Sequence, residues 1–546
     1  MNSLKPMLLT SLKSYNRSQF IKDVTAGIIV AIIALPLSIA LALASGVGPE
    51  AGIFTAIVAG FVISALGGSS VQIAGPTAAF ATIVAGIVVK DGMDGLVIAT
   101  ILAGIFLVLM GLCHFGSLIK FIPFTITAGF TSGIAVTIVI GQLKDFFGLT
   151  YPDGVKPIET TEKFRAVAEN FSTINIDALI VGAVSLAVLI IAPYIFKRIP
   201  GSLIAVIIGI LMVQFLPLKV STIGNLYTIS NSLPSFHLPA VSFEVVQNAL
   251  PNAFTIAVLA AIESLLSCVV ADGMINGKHR SDMELVAQGA GNIASALFGG
   301  IPATGAIART AANIKNGGRT PIAGMVHSVT LVIVLVVLMP YAGMIPMPTI
   351  AAILFIVAYN MCQWRTFRDL LKTAPKSDII VLLATFVLTV LFDLVVAIEI
   401  GMVLACLLFI KRMSEETHVD SWVYTDDDTP DINEHLQKLP PQIRVYEITG
   451  PLFFGVADAI EHIVVKDFTK CLVLRMRSVP ALDSTAMNAL QNLVKICENK
   501  GITLVFSHVN EQPMRVMKKA GFVELVGEEN FRPNISAALK RAEEVI

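Results

Sequence analysis

The sequence predicts a polytopic α-helical membrane protein that ends in a smaller α/β domain. Of its 546 residues, 55% are hydrophobic and only 14% are charged, whereas soluble domains carry roughly 25% charged residues. The composition becomes that of a soluble domain after a polar stretch that begins near residue 413. We therefore expect four parts: an N-terminal tail (1–23), a membrane domain (24–412), a linker (413–438) and a cytosolic domain (439–546).

The membrane domain is predicted to contain 14 spans. Two segments, 77–89 and 304–314, are shorter than the roughly 20 residues that cross a bilayer as a helix, so we count each as a half-helix that extended backbone completes. The other runs are 24–44, 50–66, 94–113, 122–142, 178–196, 201–217, 251–271, 284–298, 321–340, 348–361, 378–393 and 395–410. This count places most Lys and Arg residues of the loops on the side of the N-terminus, as the positive-inside rule requires.

The ends of the chain are predicted to be cytoplasmic, with the spans in the plasma (inner) membrane. The N-terminus is mildly basic and lacks an apolar core with a small-residue cleavage site, so it reads as a tail rather than a cleaved signal. A net charge of −1 gives no reason to expect a nucleic-acid partner. The six cysteines are scattered, without the spacing of a metal site or a disulfide framework. We therefore expect neither a metal nor a cofactor.

Two similar interruptions occur in the apolar sequence. Residues 67–80 read "GGSSVQIAGPTAAF" and residues 299–310 read "GGIPATGAIART". Each lies in the third span of a set of seven, and because seven is odd the second set is inverted in the membrane. Paired interruptions of this kind, here in spans 3 and 10, are typical of a 7+7 inverted-repeat transporter and mark its binding site. The alternative is a pair of tight turns between closely packed helices, which small residues also permit.

The two half-helices predict an anion site. Their N-termini, at Thr77 and Thr304, face each other near the middle of the bilayer, and each exposes unpaired N–H groups and about half a positive charge. Arg309 adds a full positive charge, and small residues let an anion approach the backbone. The candidate substrate-binding residues are Thr77, Ala78, Ala79, Phe80, Thr304, Gly305, Ala306 and Arg309.

Glu263 is the candidate proton-coupling residue, because a carboxylate in the middle of a span is costly and usually functional. Ser267 lies four residues further on and therefore on the same helix face. The alternative is a fixed salt bridge between Glu263 and Arg309 that locks two helices together.

The cytosolic domain alternates strands and helices. After a β-rich start come the strand "KCLVLRMRSV", the helix "STAMNALQNLVKICENKG", the strand "ITLVFSHV", the helix "EQPMRVMKKAG" and the strand "FVELVG". This order predicts a mixed sheet covered by helices. Asp483 and Ser484 fall at a helix N-terminus, where Ser484 is either a regulatory site or part of an ordinary helix cap.

These motifs together resemble the sulfate permease (SulP) family of anion transporters with its C-terminal STAS domain. The resemblance rests on "QIAGPTAAF", "AAIESLLSCVVADGM", "ELVAQGAGNIASALFGGIPATGAIARTAANIKNGGRTP" and "LDSTAMNAL". It implies a core domain that moves against a gate domain, and a homodimer. It also implies substrate contacts at Thr77, Ala78, Gly305 and Ala306, coupling at Glu263, and a role for Arg309.

Within the family, the sequence is most similar to the bacterial C4-dicarboxylate branch. The resemblance implies that sodium-coupled bicarbonate members of the family have Asp and Thr at the positions of Glu263 and Ile307. This difference favours protons over sodium as the coupling ion. We therefore expect a secondary active, proton-coupled anion symporter that works by alternating access on sulfate, bicarbonate or a C4-dicarboxylate. The alternatives are a passive anion channel, an anion exchanger, or a regulatory membrane protein whose STAS domain binds a cytosolic protein.

Overall fold

The computed structural model places two compact units, Met1–Met402 and Val403–Ile546. It describes residues 4–117, 123–152, 157, 159–196, 200–229, 232–239, 243–392, 394–422, 440–456, 460, 463 and 468–546. Residues 423–438 of the predicted linker lie outside this described part. The predicted limits of the four parts of the chain remain predictions.

The described residues of the first unit form helices and two short strands. Its helices are α1 (Met7–Ser11), α2 (Arg17–Ala44), α3 (Pro49–Leu66), α4 (Ala81–Leu112), α5 (Phe124–Phe147), α6 (Thr160–Glu169), α7 (Ile176–Ile195), α8 (Gly201–Phe215), α9 (Ile223–Leu226), α10 (Phe243–Ile275), α11 (Ser281–Leu297), α12 (Ile307–Lys315), α13 (Ile322–Ala342), α14 (Met347–Cys362), α15 (Trp364–Thr373) and α16 (Lys376–Leu391). A further helix, α17 (Leu394–Glu415), runs across the boundary between the units. The two strands are β1 (Ala74–Gly75) and β2 (Thr304–Gly305).

The predicted spans fall mainly on helices, but 77–89 and 94–113 share α4, and 304–314 begins in the strand β2, before α12. Among the described residues, eight helical segments are long and apolar enough to cross a membrane by length and composition alone: Arg17–Ala44, Pro49–Leu66, Ala78–Leu112, Phe124–Phe147, Ile176–Ile195, Phe243–Ile275, Ile322–Ala342 and Met347–Thr373. The unit is therefore a helical membrane domain, while the count of 14 spans and the inverted repeat stay predictions.

The long helix α4 contains a break at Gly92. Its φ of 70° lies in the left-handed region, which glycine enters without the steric cost that a side chain brings. The break separates the predicted half-helix from the predicted fourth span. A 3₁₀ turn over Ala78–Phe80 leads directly into α4, so the first half-helix runs from this turn to the break.

The start of α2 is anchored to the loop that follows α12. The helix begins at Arg17, before the predicted span at 24, and the side chain of Asn16 caps it by accepting the N–H of Gln19. Asp23 is fully buried, and accepts the Thr320 hydroxyl at 2.6 Å and the Arg319 N–H at 2.9 Å. Buried carboxylates need such donors, so Asp23 ties the first helix to the second half of the unit.

The second unit contains a five-stranded mixed sheet in the order β3-β4-β5-β6-β7. The strands are β3 (His418–Trp422), β4 (Ile443–Thr449), β5 (Cys471–Ser478), β6 (Thr503–Ser507) and β7 (Phe531–Arg532). β3 is antiparallel to β4 and the other neighbouring pairs are parallel. The helices are α18 (Ser484–Asn499), α19 (Glu511–Lys519), α20 (Phe522–Val526) and α21 (Ile535–Val545). Apolar clusters lie on both faces of the sheet, as expected for helices packed on each side.

One predicted strand of this unit is wrong. The segment "FVELVG" forms the short helix α20, and the strand that pairs with β6 is β7 instead. Phe522 and Val523 are both buried in one cluster, whereas consecutive residues of a strand point to opposite faces. Gly521 and Gly527, both with positive φ, flank the helix and turn the chain on either side of it.

Candidate functional site

The two interrupted segments cross and pair through their backbones. In the antiparallel pair of β1 and β2, Ala74 faces Gly305 and Gly75 faces Thr304. The N–H of Ala306 also donates to the carbonyl of Ile73 at 2.9 Å. This pairing satisfies backbone groups that would otherwise be unpaired away from water. It also places the start of one half-helix beside the start of the other.

Both half-helices begin without a side-chain cap. Thr77 precedes the 3₁₀ turn Ala78–Phe80 with an extended backbone, and Ala306 precedes α12 in the same way. Neither residue makes the hydrogen bond that a capping side chain would make. The first N–H groups of a helix have no partner within the helix, so both ends can offer donors and a positive dipole end to an anion.

Glu263 reaches the first of these ends. The hydroxyl of Thr77 donates to Glu263 Oε2 at 2.9 Å, and both residues are partly exposed. The described residues contain no ion pair between Glu263 and Arg309 within 4.0 Å. The alternative of a fixed Glu–Arg salt bridge is therefore not seen in this structure. The carboxylate instead contacts the residue that starts the first half-helix.

Arg309 lies in the first turn of α12 and is only 1% exposed. Its Nη2 donates to Ser38 Oγ at 3.2 Å and to the Pro76 carbonyl at 3.3 Å. Its Nε and Nη1 atoms have no hydrogen-bond partner among the described residues. A guanidinium has five N–H donors. Arg309 therefore places a positive charge against Gly75 of the first segment, with N–H donors on Nε and Nη1 that the described residues do not use.

Each strand carries a glycine where the other segment approaches. A Cβ atom on Gly75 would overlap the Arg309 guanidinium, and a Cβ atom on Gly305 would overlap the side-chain amide of Gln72. Both glycines are therefore needed for close approach, which is one of the recognised uses of glycine.

The remaining predicted residues divide between the surface and the interior. Ala306 is partly exposed, whereas Ala78, Ala79 and Phe80 are buried. The Thr304 hydroxyl donates its proton to the carbonyl of Ala260 on α10, at 2.9 Å. This hydroxyl is therefore not free to donate to an anion.

Ser267 does not join Glu263, although both lie on α10. Its hydroxyl is buried and lies 3.5 Å from the Thr310 hydroxyl, on α12. The side chain therefore connects α10 to the second half-helix, while Glu263 contacts the first.

Sequence reasoning missed a buried polar group beside the crossing. Glu284 is completely buried and accepts the side-chain amide of Gln72 at 2.8 Å. Gln72 lies in the motif "QIAGPTAAF" and Glu284 in "ELVAQG", and both motifs resemble those of the sulfate permease family. No local signal marked Glu284, because it follows Asp282 at the start of a predicted span, where acidic residues are common.

A cavity of about 680 Å³ opens beside the first half-helix. Thr82, Gly86 and Lys90 line it at intervals of one helical turn along α4, opposite Thr137 and Thr389. Its described lining begins beyond Phe80 and does not include Thr77 or Glu263. The cavity therefore runs along the half-helix, away from the crossing.

In the second unit, Asp483 is the helix cap and Ser484 is exposed. Asp483 Oδ1 accepts the N–H of Ala486 at 2.8 Å, while Oδ2 accepts the N–H of Phe454 at 2.9 Å. Ser484 is the first residue of α18. The helix-cap interpretation accounts for Asp483, and the accessible hydroxyl of Ser484 leaves a regulatory role open to test.

All six cysteines are free. Burial raises the pKa of Cys471 to about 12 and that of Cys497 to about 11, so both remain protonated at neutral pH. Within the described residues, no group of three or more His, Cys, Asp or Glu side chains could hold a metal ion.

Comparison with known proteins finds relatives over most of the chain. Residues 20–385 match the sulfate permease family and residues 437–538 match the STAS domain. The chain is 39% identical over 528 residues to the protein of Bacillus subtilis strain 168 named "Putative sulfate transporter YvdB", covering 95% of this chain and 97% of that protein. It is 31% identical over 538 residues to the bicarbonate transporter BicA of Picosynechococcus, covering 95% and 94%.

Solved structures share the fold. The murine solute carrier 26 family member A9, an anion transporter in the inward-facing state, superposes with a TM-score of 0.88 at 19% identity, covering 99% of this chain and 94% of that one. The transmembrane domain of a cyanobacterial bicarbonate transporter, BicA, gives a TM-score of 0.63 at 28% identity, covering 72% and 98%. The chain is a membrane transport protein rather than an enzyme, and it belongs to the sulfate permease family of anion transporters.

Proposed function

We propose that this protein is a secondary active transporter that binds its anion between the starts of the two half-helices. The observation that carries the proposal is the antiparallel pairing of Ala74–Gly75 with Thr304–Gly305. This pairing brings together two uncapped helix starts, which are suited to anions by their free N–H groups and dipoles. Arg309, buried in the first turn of α12, adds a positive charge whose burial limits screening by water.

Proton coupling is assigned to Glu263. Its carboxylate contacts Thr77 at the start of the first half-helix and has no salt-bridge partner among the described residues. A proton on Glu263 would remove a negative charge from beside the anion site. Protonation and anion binding would therefore favour each other, as symport requires.

The substrate proposal remains sulfate, bicarbonate or a C4-dicarboxylate. YvdB and BicA are named for sulfate and bicarbonate. Two helix ends and one arginine fit the oxygens of any of these anions. The side chain of Ile307, which is 41% exposed beside the second helix start, has no oxygen with which to bind a sodium ion, a hard cation that takes oxygen ligands. This favours protons as the coupling ion.

We also propose the remaining features from the family resemblance. These are a 7+7 repeat, a homodimer, cytoplasmic termini, and a STAS domain that binds a cytosolic protein with Ser484 as its regulatory residue. The cavity beside Thr82, Gly86 and Lys90 is the proposed approach to the anion site from the outer side.

The test is anion uptake into proteoliposomes driven by an imposed pH gradient, with Glu263→Gln. The amide can still accept the Thr77 hydroxyl but cannot carry a proton. We expect gradient-driven accumulation to be lost while exchange of labelled for unlabelled anion continues. The competing panel of sulfate, bicarbonate and succinate identifies the substrate in the same preparation.

Asp177→Asn is the matched control, because this carboxylate lies at the start of α7, where it accepts a hydrogen bond from the backbone N–H of Lys219. Full gradient-driven uptake by Glu263→Gln would contradict the coupling role. A non-saturating conductance without uphill accumulation in the unaltered protein would replace the transporter with a channel.

A further inference from the structure

Glu284 lies in the first turn of α11, and its side chain is completely buried. Among the described residues, no Lys, Arg or His forms a salt bridge with it. Its Oε2 atom accepts the backbone N–H groups of Gly68 at 2.9 Å and Ser69 at 3.2 Å. These residues begin the extended segment that leads to β1. Because an ionised carboxylate only accepts hydrogen bonds, Glu284 fixes the start of this segment through its backbone.

The other oxygen of Glu284 holds a side chain from the same segment. Oε1 accepts Gln72 Nε2 at 2.8 Å, Gln288 Nε2 at 3.0 Å and Ser264 Oγ at 3.2 Å. Gln72 Nε2 also donates to Ser264 Oγ at 2.7 Å, and Gln72 Oε1 accepts Cys268 Sγ at 2.8 Å. Both N–H donors of the Gln72 amide are thus in use and its oxygen accepts one hydrogen bond, which fixes the orientation of the amide.

This network touches both elements of the proposed anion site. The Gln72 amide lies against Gly305, where it leaves no room for a Cβ atom. Ser264 directly follows Glu263 on α10. The network therefore connects the segment before β1, the strand β2 and the helix that carries the proposed coupling carboxylate.

We propose that Glu284 and Gln72 are positioning residues for transport: together they hold the first extended segment against α10 and β2, and so set how the two helix starts face the anion. This inference rests on the proposed location of the anion site. Neither residue is a substrate ligand, because Glu284 is buried and accepts in all of its hydrogen bonds, and both N–H donors of Gln72 are already in use.

The chain offers a reciprocal test in Glu284→Gln, Gln72→Glu and the double variant. In Glu284→Gln one of the two oxygens becomes an NH₂ group, which faces donors whichever way the amide turns. In Gln72→Glu two carboxylates meet. In the double variant the amide oxygen at position 284 faces the Gly68 and Ser69 N–H groups, while the NH₂ group of the same amide faces the new carboxylate at position 72.

Initial rates of anion uptake by the full-length chain in proteoliposomes give KM and kcat for all variants. We expect each single variant to lose about tenfold or more in kcat/KM, the range for a broken buried hydrogen-bond pair. We expect the double variant to recover kcat but to show a raised KM, because its negative charge now lies beside Gly305. Glu169→Gln, an exposed carboxylate on α6, controls for charge removal.

Melting of the solubilised full chain is measured in parallel, since it needs no transport. Recovery of melting temperature in the double variant together with recovery of kcat supports the proposal. If the single variants lower the melting temperature and the double variant restores it, while KM and kcat stay unchanged in the single variants, both residues have only a structural role and the proposal is overturned. A double variant that transports no better than the worse single variant would also overturn it. Absence of anion uptake by the unaltered chain would instead refute the proposed function, leaving the melting result to stand alone.

Discussion

The two interrupted segments have the same backbone plan but are held by different chemistry. The first is fixed by the negative Glu284 through Gly68, Ser69 and Gln72. The second is fixed by a neutral amide, since Asn292 accepts the N–H of Ala303 and donates to its carbonyl, both at 2.8 Å. Two segments of similar backbone conformation are therefore supported by different side chains, a carboxylate in one and an amide in the other.

The side chains that cross between the segments are reciprocal. Gln72 of the first segment lies against Gly305, and Arg309 of the second lies against Gly75. At the third helical position, where the second half-helix has Arg309, the first has the buried Phe80. Positive charge is thus supplied by one segment only, which makes the proposed anion site asymmetric.

The largest expected effect comes from filling the two glycine positions. Gly305→Ala pushes against a Gln72 amide that is already fixed by three partners, whereas Gly75→Ala pushes against Arg309 Nη1, which has none among the described residues. We expect both to destabilise the protein by about 1–3 kcal/mol. We expect transport to fall at least tenfold in Gly305→Ala and less in Gly75→Ala.

Uptake rates and melting temperatures of both variants check this order. Gly141→Ala on α5 is the control, because nothing lies within 4 Å of its added Cβ atom. Equal losses in the two variants would mean that the crossing tolerates no movement of either side chain.

The second effect concerns the asymmetry of charge. Arg309→Gln removes the buried cation and should lower kcat/KM for the anion by about tenfold or more, because one charge in a weakly screened site is worth more than about 1.4 kcal/mol. Phe80→Leu at the equivalent position keeps an apolar side chain and should cost stability rather than anion affinity.

Competition binding of the anion, read by thermal shift, separates the two outcomes. The asymmetry would be disproved by a Phe80→Leu variant that loses as much anion affinity as Arg309→Gln.

The smallest expected effect on transport comes from Asn292, the neutral side chain that holds Ala303 in the second segment. Asn292→Leu keeps a neutral side chain of similar size but removes both hydrogen bonds to Ala303, so we expect a loss of about 1–3 kcal/mol in unfolding free energy for each group left unpaired. Because no residue of the anion site changes, KM should move less than about twofold. A large rise in KM would show that the second segment is positioned as sensitively as the first.

Local sequence features predicted the positions of both half-helices and most elements of the sheet. Gly, Pro and Thr between apolar runs mark the breaks, and strand and helix periods mark β5, α18 and β6. The short helix α20 was misread because five apolar and polar residues fit either period.

The contacts that support the site could not be predicted in this way. Gln72 and Glu284 are 212 positions apart, and nothing in either neighbourhood specifies the other. The sequence singled out Glu263 because one carboxylate stood alone in an apolar span. Glu284, close behind "GKHRSDM", looked like the acidic first turn of a helix, and only the packing shows that it is buried.

The pairing of β1 with β2 has a consequence for how the protein is made. The bond from Ile73 N to the Thr310 hydroxyl joins positions 237 apart, so the polar backbone of the first interruption must enter the membrane long before its partner is synthesised. Unpaired backbone groups in lipid cost several kcal/mol each. We therefore expect the nascent first half to keep this segment near water, and to complete its insertion only when residues 304–310 emerge.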